Sequence, residues 1–594
     1  MIHLDVLLKN TRIVDVFRLR VFSGWVGIRG DRFIYVEEGN PPENLIAAQV
    51  RDLQGAVLAP GLIDSHMHIE SSLLTPRRFV EAALPHGTTA VLADAHEVAN
   101  VAGEAGVGWM IAAGNLTAMR IYHAIPSCVP ATAPEIETTT QVFGAQEVLR
   151  LAPLPRVIAL GEVMDYRGLL GLSQRLPPML AAARQAGLRL EGHIPTLEGM
   201  ELSEYLSHGI ASSHSLTHPA KMYAELSKGV AVMLQTKSLT ADNMAAVNAL
   251  PDRSGVLLVT DDIEPSLLRR GHLSLMVQLA VENGLPALEA LASASLRPAR
   301  YLGLRDLGAI APGYLADFLV LDDLAHFPPR QVWVGGRLTA LEGSVLPQPL
   351  PDAPPLPEFP PLPGPLRRED FRVLPAGSEG SGWIANAVRL DGALTSLTSL
   401  DQVPLRVRDG YACLAEGDDL ALVGVFARGG TSRGAASRAV GIMKGIGVLT
   451  GAAATSMAHD SHNLLVVGRN VNDMLLAANA VHAMGGGVAV VGGAHGGAHG
   501  GAYGSAYGGG TSSSAVIAAL KLPVFSLISD EPVDQVAEGM QEVEKALDTI
   551  GFRHKRPFLL LSLLSLSVSP YFKFSDKGVV DTEKRAILPP VFAP

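Results

Sequence analysis

The stretch that decides the fold is Pro60-Gly61-Leu62-Ile63-Asp64-Ser65-His66-Met67-His68. After the Pro-Gly pair comes a short apolar strand, which ends in two histidines separated by one residue. Because side chains alternate along a strand, both imidazole rings emerge on the same face. At the carboxyl end of a barrel strand, such a pair can bind one divalent cation. The stretch therefore predicts a metal site at His66 and His68.

From about residue 58 to residue 305, short apolar runs alternate with longer helix-like stretches. Examples of the apolar runs are 90–93, 157–160 and 256–259. Alternation of this kind over roughly 250 residues is typical of a (β/α)8 barrel. A doubly wound parallel sheet is the alternative that periodicity alone does not exclude.

Polar residues with metal-binding side chains follow several of these apolar runs. They come in the order expected for successive strand ends: Glu162, His193, His214 and Asp261. The active sites of such barrels lie at the carboxyl ends of the strands. A single residue of this kind is usually a satisfied polar group, but the ordered series favours a shared metal centre.

The regions that flank the predicted barrel, 58–305, have different sequence patterns. Residues 1–57 and 306–346 contain short strands with turns, and we expect them to form one composite β-domain. The Pro-rich stretch 347–366 predicts an extended linker. Residues 367–594 predict a further α/β domain at the C-terminal side.

Within that last region, the segment 492–514 consists largely of Gly, Ala, His, Tyr and Ser. Glycine maximises backbone freedom, so the segment predicts a mobile surface loop. It contains His495 and His499, for which metal binding is the alternative to an incidental position in the loop.

The composition indicates a globular protein of two or three domains. Of its 594 residues, 48% are hydrophobic, and the net charge of -11 disfavours nucleic acid or an anionic membrane as the main partner. The two cysteines, Cys128 and Cys413, do not suggest a disulfide framework. No signal-peptide pattern opens the chain, and the apolar run 558–568 is too short to span a bilayer. We expect a cytoplasmic protein that binds a small molecule, and the large non-barrel region is compatible with a homo-oligomer.

These motifs resemble the bacterial adenine deaminase family of the amidohydrolase superfamily. Four further stretches carry the resemblance, which covers nearly the whole chain: LADAHEVAN at 92–100, IPSCVPAT at 125–132, GEVMDY at 161–166 and AHDSHN at 458–463. The resemblance implies a hydrolase of purine metabolism that converts adenine to hypoxanthine and ammonia. It also implies a binuclear centre of manganese or iron, with zinc as the alternative.

The resemblance further implies a role for each candidate ligand. The first ion would be bound by His66, His68 and Asp261, the second by His193 and His214, and Glu162 would bridge the two. A hydroxide shared by the ions would attack C6 of adenine, and Asp261 would accept its proton. A glutamate bridge replaces the carboxylated lysine of many relatives.

Other residues are expected near the substrate. Glu97 could hold or protonate a purine ring nitrogen, and a glutamate favoured by a helix dipole is the alternative. The neighbouring His96 is either a ligand or a residue behind the ligands. The turn 459–463 suits an active-site lid, with an ordinary surface turn as the alternative.

Three positions depart from the family pattern. Ser213 and Ser215 flank His214 where acidic residues are usual, and 235–238 reads Gln-Thr-Lys-Ser in place of Arg-Glu-Gly-Ser. Arg428 is followed by glycine where the family has histidine. These departures leave the predicted metal ligands unchanged. They alter residues expected to contact or orient the substrate, so they bear on adenine as the substrate and not on metal binding. An enzyme acting on another amino-heterocycle or a cyclic amide, and a catalytically silent binding protein, are the alternatives.

Overall fold

The structure is a computed structural model of the chain. It describes residues 2–347, 351–392, 397–429, 437–493 and 514–594. Most of the predicted loop 492–514, including His495 and His499, lies outside the described residues.

The chain forms two compact units, each assembled from separate stretches of sequence. The first unit comprises residues 1–95, 109–125 and 145–355. The second comprises residues 96–108, 126–144 and 356–594. Two segments within the predicted barrel range therefore belong to the second unit. The predicted domain boundaries themselves stay predictions.

Eight parallel strands form the barrel. They are Leu62–Met67, Thr88–Asp94, Arg120–Ile125, Val157–Val163, Arg189–Gly192, Ser212–Ser213, Ala231–Leu234 and Val256–Leu258. The first five form one parallel sheet and the last three another. Parallel bridges from Leu190 to Ile210 and from Met67 to Asp261 link the two sheets on both sides. The predicted fold class is confirmed, and the doubly wound alternative is wrong.

Helices follow the barrel strands. They are Pro76–Ala83, His96–Asn115, Ala145–Leu151, Leu176–Gln185, Gly199–Ser207, Pro219–Leu226, Ala241–Ala249, Pro265–Leu268, Leu273–Glu282, Ala287–Ser293 and Leu296–Tyr301. Several begin with proline. Proline suits the first helical position because the N–H group at that position has no hydrogen-bond partner within the helix, so its absence costs nothing. Since each strand lies between the barrel interior and a helix, the strands are apolar along most of their length rather than alternating.

Both flanks of the barrel contribute to one nine-stranded sheet in the first unit. Its strands are Ile2–Asp15, Arg20–Arg29, Arg32–Glu38, Leu45–Asp52, Val57–Pro60, Phe318–Leu321, Gln331–Val334, Arg337–Leu341 and Ser344–Val345. Val57–Pro60 pairs antiparallel with Phe318–Leu321, directly before the first barrel strand. At the junction, an added Cβ on Gly61 would lie 2.2 Å from Thr89 Oγ1, so this position needs glycine.

The second unit is rich in β-structure. A ten-stranded sheet contains Gly380–Leu390, Thr398–Arg408, Tyr411–Cys413, Leu420–Phe426, Arg438–Lys444, Ala452–Thr455, Leu464–Gly468, Gly487–Gly493, Ser514–Lys521 and Val591–Phe592. A three-stranded sheet contains Phe572–Ser575, Gly578–Asp581 and Ala586–Leu588. The helices are Val471–Met484, Val533–Thr549 and Pro557–Leu563. Among the described residues, no helix has the length and apolar character that crossing a membrane requires.

Candidate metal centre

Six side chains predicted to bind metal meet in the first unit. Each lies at or just beyond the carboxyl end of a barrel strand: His66, His68, Glu162, His193, His214 and Asp261. Because the carboxyl ends of parallel strands meet at the same rim of a barrel, residues far apart in sequence come together. A backbone hydrogen bond from Asp261 N to the His66 carbonyl, 3.2 Å long, fixes the last of them beside the first.

The first group of these residues is centred on Asp261. Its Oδ1 atom lies 3.6 Å from Nε2 of His66 and 3.6 Å from Nε2 of His68. Asp261 also adopts a left-handed backbone, with φ 57, which costs free energy in any residue other than glycine. The surrounding fold therefore stabilises an unfavourable backbone conformation at Asp261, and this conformation fixes the position of its carboxylate.

The second group is centred on Glu162, whose two oxygens face different histidines. Oε1 lies 3.3 Å from Nε2 of His68. Oε2 lies 2.9 Å from Nδ1 of His193 and 3.1 Å from Nε2 of His214. The rings of His66 and His214 stack, with centroids 3.8 Å apart. A carboxylate whose oxygens point to two separate sets of nitrogens has the geometry that a bridging ligand needs.

The donor set fits two divalent cations. Two ligand atoms that bind the same tetrahedral ion, each at about 2.1 Å, lie about 3.4 Å from each other. The distances between the histidine nitrogens and the carboxylate oxygens of this site run from 2.9 to 3.6 Å. The Nε2 atom of His66 is buried and makes no hydrogen bond to any described residue. Imidazole nitrogens with carboxylate oxygens suit zinc, iron and manganese.

The histidines keep both carboxylates ionised. Burial alone would raise the pKa of Glu162, but the charge of His214 and close contacts with His193 and His68 hold that pKa well below its ordinary value. Desolvation likewise opposes ionisation of Asp261, and His214, His66 and His68 outweigh it, so its pKa is also well below the ordinary value. The ionised form is the one that binds a cation.

The backbone around Asp94 orients two ligands. Nδ1 of His68 lies 3.0 Å from the Asp94 carbonyl oxygen, which can only accept a hydrogen bond. Nδ1 must therefore carry the proton, and the lone pair on Nε2 faces the carboxylates. The Asp94 side chain accepts a hydrogen bond of 3.2 Å from the backbone N–H of Glu162. Sequence reasoning did not identify Asp94, although its place at the end of the second barrel strand is the signal.

Asp64 connects the first strand to the loop that contains Asp261. Its Oδ1 accepts the backbone N–H of His66 at 3.2 Å, and its Oδ2 accepts the N–H and the hydroxyl of Thr260 at 3.1 and 2.6 Å. Sequence reasoning missed this role, even though Asp64 stands two residues before His66 and therefore on the same strand face. The side chain positions ligands on two strands that are adjacent only after the barrel closes.

Two of the departures from the family pattern lie against the ligands. Gln235 Nε2 donates a hydrogen bond of 3.3 Å to Asp261 Oδ2. Ser215 Oγ accepts the backbone N–H of Ile194 at 3.0 Å, next to His193. These two residues therefore contact the metal-ligand region and help to orient the ligands; they do not lie on a distant surface.

Glu97 and His96 belong to the second unit, where they lie with the turn 459–463. Glu97 Oε1 is 3.5 Å from Nδ1 of His459, and both Glu97 and His96 are buried. Residues 460–463 are also buried, so the surface-turn alternative is wrong. A lid function for the turn, and a contact between Glu97 and a purine, stay predictions.

Comparison with known proteins gives matches along almost the whole chain. Residues 57–339 match the amidohydrolase family, and residues 395–498 and 505–586 match the adenine deaminase C-terminal domain. The adenine deaminase of Desulfatibacillum aliphaticivorans is 34% identical, with 97% of this chain and 95% of the relative covered. That of Nitratidesulfovibrio vulgaris strain DP4 is 36% identical, with the same coverage of 97% and 95%. Adenine deaminase 2 of Shouchella clausii is 34% identical over 99% of both chains.

Proposed function

Because the chain belongs to the adenine deaminase family of amidohydrolases, we propose that it hydrolyses adenine to hypoxanthine and ammonia. The observation that carries the proposal is Glu162, whose two oxygens face His68 on one side and His193 and His214 on the other. A silent binding protein would have no need of this complete ligand set.

Six residues of the first unit would hold the two ions. His66, His68 and Asp261 would bind one ion, His193 and His214 the other, and Glu162 would bridge them. The ions themselves are proposed to be manganese or iron, with zinc as the alternative, since all three suit nitrogen and carboxylate donors. When bound, they lower the pKa of a water molecule so that a nucleophile exists near neutral pH.

Asp261 is the proposed base. Its ionised carboxylate would accept the proton from the attacking water, and would then pass it to the purine ring or to the amine that leaves from C6. The new C6–O bond replaces the C6–N bond, and the nitrogen departs as ammonia. Positioned proton transfer of this kind contributes about 100- to 10,000-fold to a rate. The hydrogen bond from Gln235 to Oδ2 would keep Oδ1 directed towards the histidines.

One residue outside the ligand set is proposed to contact the purine itself. The proposal that Glu97 holds or protonates a ring nitrogen rests on the sequence pattern. The same is true of the cytoplasmic location and the homo-oligomer. Because Ser215 and Gln235 differ from the family pattern beside ligand residues, a different amino-heterocycle is the second candidate substrate.

The test is turnover by protein that has been stripped with a chelator and reconstituted with manganese. Ammonia release is measured with adenine and a panel of other amino-purines and amino-pyrimidines, beside a His66→Ala control. We expect hypoxanthine from adenine and none from the control. If metal is bound and adenine is inert while another heterocycle releases ammonia, the substrate proposal is wrong. No release from any compound, with ligand binding retained, would favour the silent binding protein.

A further inference from the structure

His272 is a buried histidine of the first unit that does not belong to the proposed ligand set. It directly precedes the helix Leu273–Glu282, and 0% of its surface is exposed. Its ring packs edge-on against the ring of Phe79, with centroids 5.2 Å apart. A buried polar ring costs free energy unless its nitrogens form hydrogen bonds. The partners of those two nitrogens therefore indicate what the residue does.

The ring nitrogens of His272 contact hydroxyl groups on two different parts of the barrel. Nε2 lies 3.3 Å from Thr260 Oγ1, and Nδ1 lies 3.0 Å from Thr88 Oγ1. Thr88 begins the second barrel strand, whereas Thr260 follows the eighth strand and directly precedes Asp261. Nε2 is also 3.8 Å from Oδ2 of Asp64, on the first strand. His272 therefore joins the first two strands to the last at the place where the barrel closes.

The hydroxyl of Thr260 determines the direction of these hydrogen bonds. Its Oγ1 donates to Asp64 Oδ2 at 2.6 Å, a short distance that is typical of a hydroxyl bound to a carboxylate. Because the only hydroxyl proton is used there, Oγ1 accepts from His272, and the ring proton is on Nε2. Nδ1 then accepts from the hydroxyl of Thr88. Burial lowers the pKa of His272 to about 3, so the ring stays neutral near neutral pH.

The hydrogen bonds from His272 lead to the backbone of Asp261. Asp64 Oδ2 accepts the backbone N–H of Thr260 at 3.1 Å as well as its hydroxyl. The next residue, Asp261, has a left-handed backbone that only the surrounding contacts can maintain. If the side chain of Thr260 rotated, the buried N–H of His272 would lose its acceptor, which costs free energy. The ring therefore stabilises the conformation of Thr260 that precedes the strained residue.

We propose that His272 is a positioning residue for the deamination, an inference that rests on the proposed function. It acts through Thr260 to fix the backbone at Asp261, and so directs the carboxylate of Asp261 towards His66 and His68. Its own nitrogens are both engaged by threonine hydroxyls, so it binds neither an ion nor the purine. Loss of its N–H donor therefore lowers kcat and leaves KM for adenine unchanged.

Two substitutions of His272 test this role. Phenylalanine keeps a flat buried ring without a donor, whereas the side-chain amide of glutamine can take the place of the Nε2–H group. We expect His272→Phe to lower kcat for adenine by about 10- to 100-fold at unchanged KM, and His272→Gln to restore most of that loss.

The matched control is His123→Phe. His123 is also a buried histidine of the first unit, and its Nε2 makes no hydrogen bond to any described residue. The control should keep the kcat of the unmodified protein. A loss equal to that of His272→Phe would mean that any change at a buried histidine has this effect, and would overturn the proposal.

Thr260→Val tests whether His272 acts through Thr260. Valine keeps the shape of threonine but lacks the hydroxyl, so kcat should fall by a similar factor. If the two residues act in one chain of hydrogen bonds, the double variant Thr260→Val, His272→Phe should lose little more than either single variant. Losses that multiply would show independent effects and would overturn the proposal.

The visible absorption of cobalt-loaded protein separates this inference from the proposed function. Asp261 is a proposed ligand, so a displaced carboxylate alters the cobalt band without any turnover. We expect an altered band in His272→Phe and Thr260→Val, and the band of the unmodified protein in His272→Gln and His123→Phe. If the unmodified protein is inert towards adenine, the proposed function is wrong, and the band still tests His272.

The same cobalt band in His272→Phe and in the unmodified protein would overturn the positioning role. Should His272→Phe fail to fold, His272→Asn replaces it in each comparison. Asparagine can still accept from Thr88, but its shorter side chain does not reach Thr260. An unaltered band in His272→Asn would overturn the proposal in the same way.

Discussion

The two histidine–carboxylate groups of the chain are built from different kinds of structure. The group in the first unit stands on the ends of barrel strands, and Glu162 approaches three imidazoles to between 2.9 and 3.3 Å. The group in the second unit comprises His96, Glu97, His459, Asp460 and His462. It lies on a helix start and a turn, and its neighbouring imidazole nitrogens and carboxylate oxygens are 3.5 to 3.8 Å apart. Each contains a non-glycine residue with left-handed backbone, Asp261 at φ 57 and His462 at φ 50.

A comparison of buried glutamates in the two units shows what the neighbouring imidazoles contribute. Glu162 and Glu137 are both buried, yet the pKa of Glu162 is well below its ordinary value and burial raises the pKa of Glu137 to about 7. Glu137 is bonded by the neutral hydroxyls of Ser567 and Thr132 instead of imidazoles. Burial therefore favours the neutral carboxyl, and the neighbouring histidines keep the carboxylate of Glu162 ionised.

The largest expected effect is that of Glu162→Gln on the first unit. An amide cannot offer two anionic oxygens, so bridging is lost, and several kcal/mol of charge stabilisation correspond to a fall in kcat/KM of about 1,000-fold or more. Metal analysis should show the loss of ions as well. Glu191→Gln is the matched control, because Glu191 is an equally buried glutamate bonded to Ser212 and Tyr301. Similar metal loss in both variants would refute the bridging role.

The second-largest expected effect is the pH dependence of stability caused by Glu137 in the second unit. Burial raises the pKa of Glu137 to about 7, from an ordinary value of 4.5. Its contribution to stability is therefore fully present below about pH 4.5 and is lost as the pH rises through 7, by about 3 kcal/mol. Glu137→Gln keeps the acceptor oxygen for Ser567 and cannot ionise. The Tm measured by thermal denaturation should therefore fall less between pH 5 and pH 8 in this variant than in the unmodified protein. The same fall in Tm in both proteins would contradict the raised pKa of Glu137.

The smallest expected effect is that of Gln235→Ala. The variant loses the hydrogen bond to Asp261 Oδ2 but keeps every ligand, so kcat/KM should fall by about 10-fold with metal content unchanged. Lys237→Ala changes an exposed neighbour on the same short segment and should leave kcat/KM as it was. If both variants behave alike, Gln235 has no specific part in orienting Asp261.

Barrel geometry explains why so much of the first group could be predicted. His66 and Glu162 follow apolar strands, and a barrel brings strand ends together whatever the sequence between them. Asp64 and Asp94 were not predicted because they act through backbone N–H groups, whose positions depend on the register of neighbouring strands.

The second group shows the limit of the same reasoning. The histidines of the turn 459–463 and the pair His96-Glu97 were each noticed, but no local pattern says that a helix start and a distant turn meet. The assignment of 96–108 and 126–144 to the second unit has the same cause, because it depends on tertiary contacts and not on periodicity.

The pairing of Val57–Pro60 with Phe318–Leu321 has a consequence for the order of folding on the ribosome. Translation produces the first of these strands long before the second, and the whole barrel is synthesised between them. The nascent chain therefore carries an unpaired apolar edge until its partner leaves the exit tunnel. Residues 96–108 and 126–144 are also synthesised early, because the remainder of their unit begins at residue 356. During synthesis this unpaired edge is therefore a place where the incomplete chain can aggregate.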